Sequence, residues 1–436
     1  MPKLERSLGL LGATNVSIGA IIGAGIFVLS GVASGIAGPA VILSFVIAGA
    51  TAFLTALSSA ELSSFITEAG GSYIYADKAF GKFWGFLVGW TKSFDYIVGA
   101  SAVSIGFATY FAYFIGIPAM QSVIIIVGAA LPLLFMLLNF KGVKEASGAN
   151  NLLVILKVTA LVLFIIVGGF FIISRGDFSN YHPFFPRGFA GVMSGAAVIF
   201  FAFIGFNTVT VLSEEIKNPE KTVPRAIMLA FGVSTLLYIG VSAVEVGLLN
   251  WKIIGSSSAP LEVSMRVATN NFFLLKFISI SALFATASVV MASILGGSRA
   301  LFAMARQNVI PRSLAKVSKN GVPFFTVLIS GVVIALIVIA TRGNLEWLAS
   351  VFNFGTLMTF FFINLSAVRL RQKMPYADRT FKVPLYPIPP ILGILFCFIL
   401  ALYLNLNAIM FAGAWIAIGI MAYYYHKKRK KTGGEF

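Results

Sequence analysis

From Ser7 to Ala60 the chain carries no charged residue, and long apolar stretches recur almost to its end. These runs are unbroken rather than alternating, which predicts helices and not the two-residue period of a membrane barrel. A helix needs about 20 apolar residues to cross hydrocarbon, and an open sheet edge has no partner there. The pattern predicts twelve spanning helices, at roughly 9–35, 40–66, 83–114, 119–139, 150–174, 189–213, 225–249, 272–305, 323–341, 346–369, 386–405 and 407–425. Pro39, Pro118 and Pro323 stand near starts, where a missing N–H is tolerated. The opening MPKLERS leads directly into a full-length span, so no cleaved leader is expected.

Composition agrees. The chain is 58% hydrophobic and 11% charged, which leaves too little polar surface for a soluble domain. The fold class expected is therefore all-α integral membrane, a single membrane domain over 1–436. One cysteine, Cys397, permits no internal disulfide, and two histidines leave almost no ligands for a His/Cys metal site. No cofactor is expected. Paired aspartates or His/Glu clusters within spans, which an intramembrane enzyme needs, do not occur. Repeated pore-lining polar residues, which a channel needs, do not either.

The net charge of +17 invites a nucleic-acid reading. Its distribution says otherwise. With the N-terminus in the cytoplasm, 24 of the 32 Lys and Arg fall on cytoplasmic segments and 6 on outer ones. The remaining two, Lys92 and Lys157, lie within spans. That asymmetry predicts both termini inside a cell membrane, and basic loops facing anionic lipid account for the charge. The partners expected are the bilayer and a small substrate, with no nucleic acid and no obligate protein partner.

Within the charge-free run, AIIGAGIF raises a difficulty. Gly19, Gly23 and Gly25 place poor helix formers where lipid offers no substitute hydrogen bonds. Gly19 and Gly23 fit a helix-packing motif. A second weak point, Gly205 in IFFAFIGFNTVT, lies five helices later. Five is odd, so a five-helix repeat returns upside down, as in transporters whose broken helices meet at the midplane. A break exposes N–H groups on one side and carbonyls on the other. Two adjacent breaks could hold a zwitterion. Its carboxylate would meet Ala24 and Gly25 N–H groups, and its ammonium would meet carbonyls near Phe201 and Ile204.

IGAIIGAGIF, AELSSFITEAGGSYIYADKAFGKFWGFLVGW, FFAFIGFNTVTVLSEEIKNPEKTVPRAI and GGSRALFAMARQNVIPRSLAKV together resemble the amino acid–polyamine–organocation (APC) family of amino acid transporters. The resemblance implies the five-plus-five inverted repeat of the LeuT-like fold, with helices 1 and 6 discontinuous and two further C-terminal helices. Repeat one would cover 9–174, repeat two 189–369 and the added pair 386–425. It implies that Ile21, Ala24, Gly25 and Ile26 form one unwound substrate-binding segment, and Phe201, Ala202 and Ile204 the other. Phe201 falls where the family keeps an aromatic lid, and Asn207 at a polar position beside the break.

Lys157, in NNLLVILKVTALVLF, is the most costly residue to place. Lysine at a helix centre costs roughly 2.5–3.5 kcal/mol on insertion scales. It lies about 9 Å inside its end of the helix at 1.5 Å per residue, so snorkelling is one reading. The other is a buried amine facing helix one that gains and loses a proton. In sodium-driven relatives of this fold, sodium bridges helices one and eight near helix five. The resemblance implies that the ammonium of Lys157 stands in for that ion, held by Gly19 and a hydroxyl from Ser281, Thr286 or Ser288. A fixed cation there argues for protons and against sodium.

Lys92 and Asp95, three apart, are expected to pair rather than to relay protons, and an Asp95 facing the pocket would readmit basic substrates. Glu61 and Glu245 have no clear role, and SEEIKNPEKTVPRA reads as a solvated turn that the resemblance places near an inner gate. Ile21, Phe27, Phe200, Phe201 and Phe203 flank the breaks without an acid beside them. The function expected is proton-coupled uptake of neutral, apolar L-amino acids with broad specificity. Alternatives are an uncoupled exchanger of the same fold and, less favoured because no cytoplasmic domain is expected to report binding, an amino acid sensor.

Overall fold

Hydrocarbon forces the backbone to satisfy itself, and the chain does so with helices. A computed structural model describes residues 8–68, 70–140, 147–211, 213–306, 311–317 and 322–431. Lys3, Arg6, Lys141, Lys144 and Lys319, counted above for topology, lie outside the described residues. In chain order the helices are α1 (Leu10–Ile21), α2 (Ala24–Phe27), α3 (Leu29–Ala37), α4 (Val41–Phe65), α5 (Ser72–Phe80) and α6 (Lys82–Ile115). Next come α7 (Gln121–Phe140), α8 (Ser147–Arg175), α9 (Gly188–Ile199), α10 (Thr208–Val211), α11 (Pro219–Leu248) and α12 (Trp251–Ser256). Last are α13 (Pro260–Ala268), α14 (Phe272–Arg306), α15 (Phe324–Ala340), α16 (Leu345–Lys373), α17 (Ile388–Ala401) and α18 (Leu406–Lys431).

Nine segments among the described residues are long and apolar enough to cross a membrane, and Leu10–Ile21, Phe324–Ala340 and Ile388–Ala401 are shorter apolar helices. One of the nine, Leu29–Phe65, is divided by the 3-10 turn Gly38–Ala40, where Gly38 takes φ +69 and Pro39 follows. It is thus two helices joined by a corner. The long helix α6 packs against α5, α7, α14, α15, α16 and α18. Its buried side is rich in small residues, including Gly99, Ala100, Ser101, Ala102, Ser104 and Gly106. Small residues let backbones approach closely where lipid removes any hydrophobic drive between helices. Large apolar side chains such as Leu236, Phe170 and Ile173 point outward, as lipid-facing positions do.

Two expectations change. Helix α11 begins at Pro219, not near residue 225, because Pro219 occupies the first helical position, where no N–H is required. The SEEIKNPEKTVPRA segment is also not simply solvated. Ile216 and Val223 are fully buried. Leu8 N–H donates to Glu215 O at 3.1 Å and Lys217 N–H to Leu8 O at 2.9 Å, an isolated parallel bridge.

Glu61, whose role the sequence left open, joins α4 to the end of α16. Arg371 donates to both its oxygens, at 2.7 and 2.6 Å, and Val383 N–H donates at 2.7 Å. Arg379 lies 3.3 Å away and its guanidinium also donates to Leu370 and Met374 carbonyls, closing the C-terminus of α16. Removing one partner of a buried ion pair strands the other. Glu61→Gln is expected to lower unfolding stability by about 3 kcal/mol, measured by denaturant titration in detergent micelles. A variant as stable as wild type contradicts this role.

Candidate functional site

The first helix breaks at Ile22 and Gly23. Ile22 is extended, with φ −78 and ψ 101, and Gly23 takes φ −150 and ψ −146 before the single turn α2. A second irregularity at Val28 separates α2 from α3. Ala24, Gly25 and Ile26 are therefore in a short helical turn rather than unwound, and Ile21 ends α1. The break sits earlier because Gly23, with no Cβ, leaves the helical region most easily. The other break runs from the 3-10 turn Phe200–Phe203 through Ile204, which is extended, to Gly205 at φ +120.

The two breaks touch. A methyl on Gly25 would overlap the Ala202 backbone, and one on Gly205 would overlap the Ala20 carbonyl and Ile21 nitrogen. Gly23 instead faces Val289 on α14, at 3.0 Å from a notional methyl. Gly23 is thus the break residue itself and also abuts α14, while Gly25 and Gly205 serve the contact between breaks. Ile21, Ala24, Gly25, Ile26, Phe201 and Ala202 are all buried, and Ile204 is half-buried. Phe201 packs in a tilted pair, ring centroids 4.6 Å apart, against Phe352 on α16, whose ring fills the space beside Gly99 on α6.

Side chains from other helices satisfy the carbonyls that the breaks release. Lys157 Nζ donates to Gly19 O at 3.1 Å and to Ser288 Oγ at 2.9 Å, fully inside the protein. This joins α8, α1 and α14. Ser281 is not brought to it; it is buried without a hydrogen-bond partner. It lies seven residues from Ser288, about 10 Å along the helix, beyond reach of an amine already bound there. Thr286 donates to Ala282 O in its own helix. Lys157 therefore does not snorkel.

Sequence reasoning missed the neutral donors. Tyr238 on α11 donates to Ile21 O at 2.9 Å, and Tyr110 on α6 to Phe27 O at 2.7 Å. Asn353 on α16 donates to Ala197 O at 2.7 Å and Val198 O at 3.0 Å, just before the second break. Ser17 donates weakly to Phe206 O at 3.4 Å, linking α1 to the far side of that break. Ser59 on α4 donates to Asn207 Oδ1 at 2.5 Å. Together these hold both breaks open without a ligand having to complete them. Among the described residues Lys157 is the one charged side chain that hydrogen-bonds either break.

Lys92 and Asp95 lie 3.8 Å apart, the expected i,i+3 pair. Asp95 also accepts from Thr356 on α16 at 3.2 Å. It sits one turn from Gly99, so the Phe352 ring stands near it, and its other oxygen has no partner. No group of three or more His, Cys, Asp or Glu able to hold a metal occurs among the described residues.

Comparison with known proteins gives this geometry a family. Residues 12–431 match the family described as Amino acid permease. The chain is 35% identical over 447 residues to the branched-chain amino acid permease BcaP of Bacillus subtilis, covering 98% of this chain and 95% of that one. It is 36% identical over 454 residues to the methylthioribose transporter of the same organism, covering 98% and 94%. It is 30% identical over 440 residues to BcaP of Lactococcus lactis, covering 95% and 93%. Near-full coverage at this identity leaves one assignment: the chain belongs to the amino acid permease family of APC membrane transporters.

Proposed function

We propose that the protein is a proton-coupled importer of neutral, apolar L-amino acids, broad in specificity and resident in the plasma membrane with both termini cytoplasmic. The observation that carries this reading is the pair of touching breaks with Lys157 bound to the first of them. Twelve crossings in the five-plus-five arrangement fit the helices described, with α1 to α3 as the first broken span and α9 to α10 as the sixth.

The substrate carboxylate would meet N–H groups at Ala24 and Gly25, where the partial positive charge of α2 lies. The ammonium would meet carbonyls of the 3-10 turn. Phe201 O receives only the long Ile204 N–H bond at 3.4 Å, so it has accepting capacity to spare. Phe201 would close over the ligand by packing against Phe352. With no free charge at either break, an apolar side chain fits better than a cationic one; Asp95, the carboxylate beside Phe352, already faces Thr356 and Lys92.

Lys157 supplies the coupling. Its ammonium bridges α1 and α14, where a sodium ion would otherwise be needed, so a second cation is disfavoured. Loss of its proton weakens the grip on Gly19 O and frees α1 to swing. In this cycle the broken helices rock against a scaffold that includes α6, α7, α14 and α15.

A second reading comes from the methylthioribose transporter, as similar to this chain as the branched-chain permease. Methylthioribose has neither carboxylate nor ammonium, so the two readings separate cleanly. In proteoliposomes, valine, isoleucine and phenylalanine are expected to compete with labelled leucine, while lysine and methylthioribose compete at least about tenfold more weakly. Competition by methylthioribose equal to that of valine rejects the zwitterion site.

A further inference from the structure

Glu245 on α11 is fully buried, and its two oxygens differ. Oε1 lies 3.1 Å from Ser30 Oγ on α3, and Oε2 has no hydrogen-bond partner. No ion pair among the described residues includes it. An ionised carboxylate without counter-charge in so dry a place is costly. A neutral acid needs no counter-charge, and its O–H can donate to Ser30 across the same contact.

Its place in the fold gives the proton something to do. Tyr238, seven residues earlier and two turns along α11, holds Ile21 O. Helix α11 therefore grips the first broken helix on both sides of the break, through Tyr238 on one side and Glu245 on the other. Ser30 lies three residues beyond Phe27, whose carbonyl Tyr110 holds. Gly31 abuts Pro260 at the start of α13. Parting α6 and α13 from α3 would bring water toward the carboxyl.

The ionisable groups nearby make contacts elsewhere, though one oxygen of Glu262 is, like Oε2 of Glu245, buried without a hydrogen-bond partner. Tyr110 is bound as described. On α13, Glu262 is paired with Arg266 at 3.1 Å. Tyr181 donates to Ala243 O at 3.0 Å, and Lys276 on α14 to Phe114 O at 2.8 Å. Helix α8 presents Gly168 to the neighbouring Val244; its lysine, Lys157, is eleven residues away, about 16 Å along the helix.

We propose that Glu245 is a proton-binding site that gates the α13 side of the pathway. The carboxyl takes a proton from the aqueous phase as α3, α6 and α13 close around it. It returns that proton to the same phase when they part. In the topology proposed above that phase is extracellular, and the proton is separate from the one assigned to Lys157. Because closure takes up a proton, raising external pH opposes closure.

Infrared spectroscopy of the purified protein in lipid at neutral pH tests the protonation. Wild type is expected to show a protonated-carboxyl C=O band that shifts in deuterium oxide and is missing from Glu245→Gln, an isosteric variant that keeps the Ser30 contact. No such difference overturns the assignment. Leucine counterflow, which needs no driving gradient, tests the gate. Raising external pH is expected to slow wild-type counterflow by up to about tenfold per pH unit, the limit for one ionising group, and to slow Glu245→Gln clearly less, Lys157 being common to both. Parallel decline in both overturns the gate. If a proton gradient fails to drive uptake while both results hold, the coupling proposal falls and the Glu245 assignment stands.

Discussion

Lys157→Ala is expected to cut proton-driven leucine uptake at least about tenfold while leucine counterflow survives. The ammonium makes two buried hydrogen bonds, to Gly19 O and Ser288 Oγ. Bonds to a charged group contribute about 1.5–3 kcal/mol each, and one such bond corresponds to roughly a tenfold change in an equilibrium. Alanine leaves a break carbonyl and a hydroxyl unpartnered between α1 and α14, and it removes the group whose proton loss would release α1. Tyr238 still holds Ile21 O and Ser17 still reaches Phe206 O on the second break, so the break should persist and exchange should continue. Uptake by this variant that follows an imposed pH gradient as wild type does rejects the proton role of Lys157.

Gly25→Ala and Gly205→Ala should each abolish transport while the protein still inserts and folds. At Gly25 the added methyl meets the Ala202 backbone, which no side-chain rotation can move. At Gly205 the backbone is at φ +120, a region that costs other residues about 1–3 kcal/mol, and the methyl would also meet the Ala20 carbonyl. Either change pushes the two breaks apart, and overpacking adds about 1–3 kcal/mol more. Gly23→Ala is the control. Its methyl meets only Val289 Cγ2 at 3.0 Å, the end of a side chain that can shift. A loss of transport there would report the backbone freedom that the break needs, with the two breaks still in contact. Gly25→Ala transporting like wild type contradicts the close approach of the breaks; counterflow and size-exclusion profiles of the three variants decide it.

The sequence carried the helices because long apolar runs admit little else in a membrane. It carried the paired breaks because Gly23 and Gly205 are glycines where leucine or alanine would serve a plain span. That Lys157 needs oxygen atoms around it was legible from an intramembrane charge alone, but Gly19 and Ser288 as its partners came from the family resemblance. Choosing Ser288 over Ser281 was not legible, since helical phase separates them less than axial distance does. Tyr110, Tyr238 and Asn353 were invisible. They are uncharged, lie on α6, α11 and α16, and meet the breaks only through tertiary packing. Tyr238 and Glu245 share a face of α11 by their spacing of seven, the one pattern that could have marked that helix as the clasp of the first break. The Glu61 cluster was hidden likewise, because Arg371 and Arg379 come from 310 or more residues downstream. The resemblance put the first unwound residues at Ile21, Ala24, Gly25 and Ile26, whereas the backbone leaves the helix at Ile22 and Gly23 and Gly25 meets Ala202.

The central claim is that a proton gradient alone drives net entry of an apolar amino acid. Labelled leucine uptake into proteoliposomes holding no amino acid, in sodium-free buffer with the outside acidic, measures it most directly. The account predicts accumulation above equilibrium that collapses when a proton ionophore is added. Uptake that requires amino acid preloaded inside, or that a sodium gradient drives at fixed pH, would contradict it.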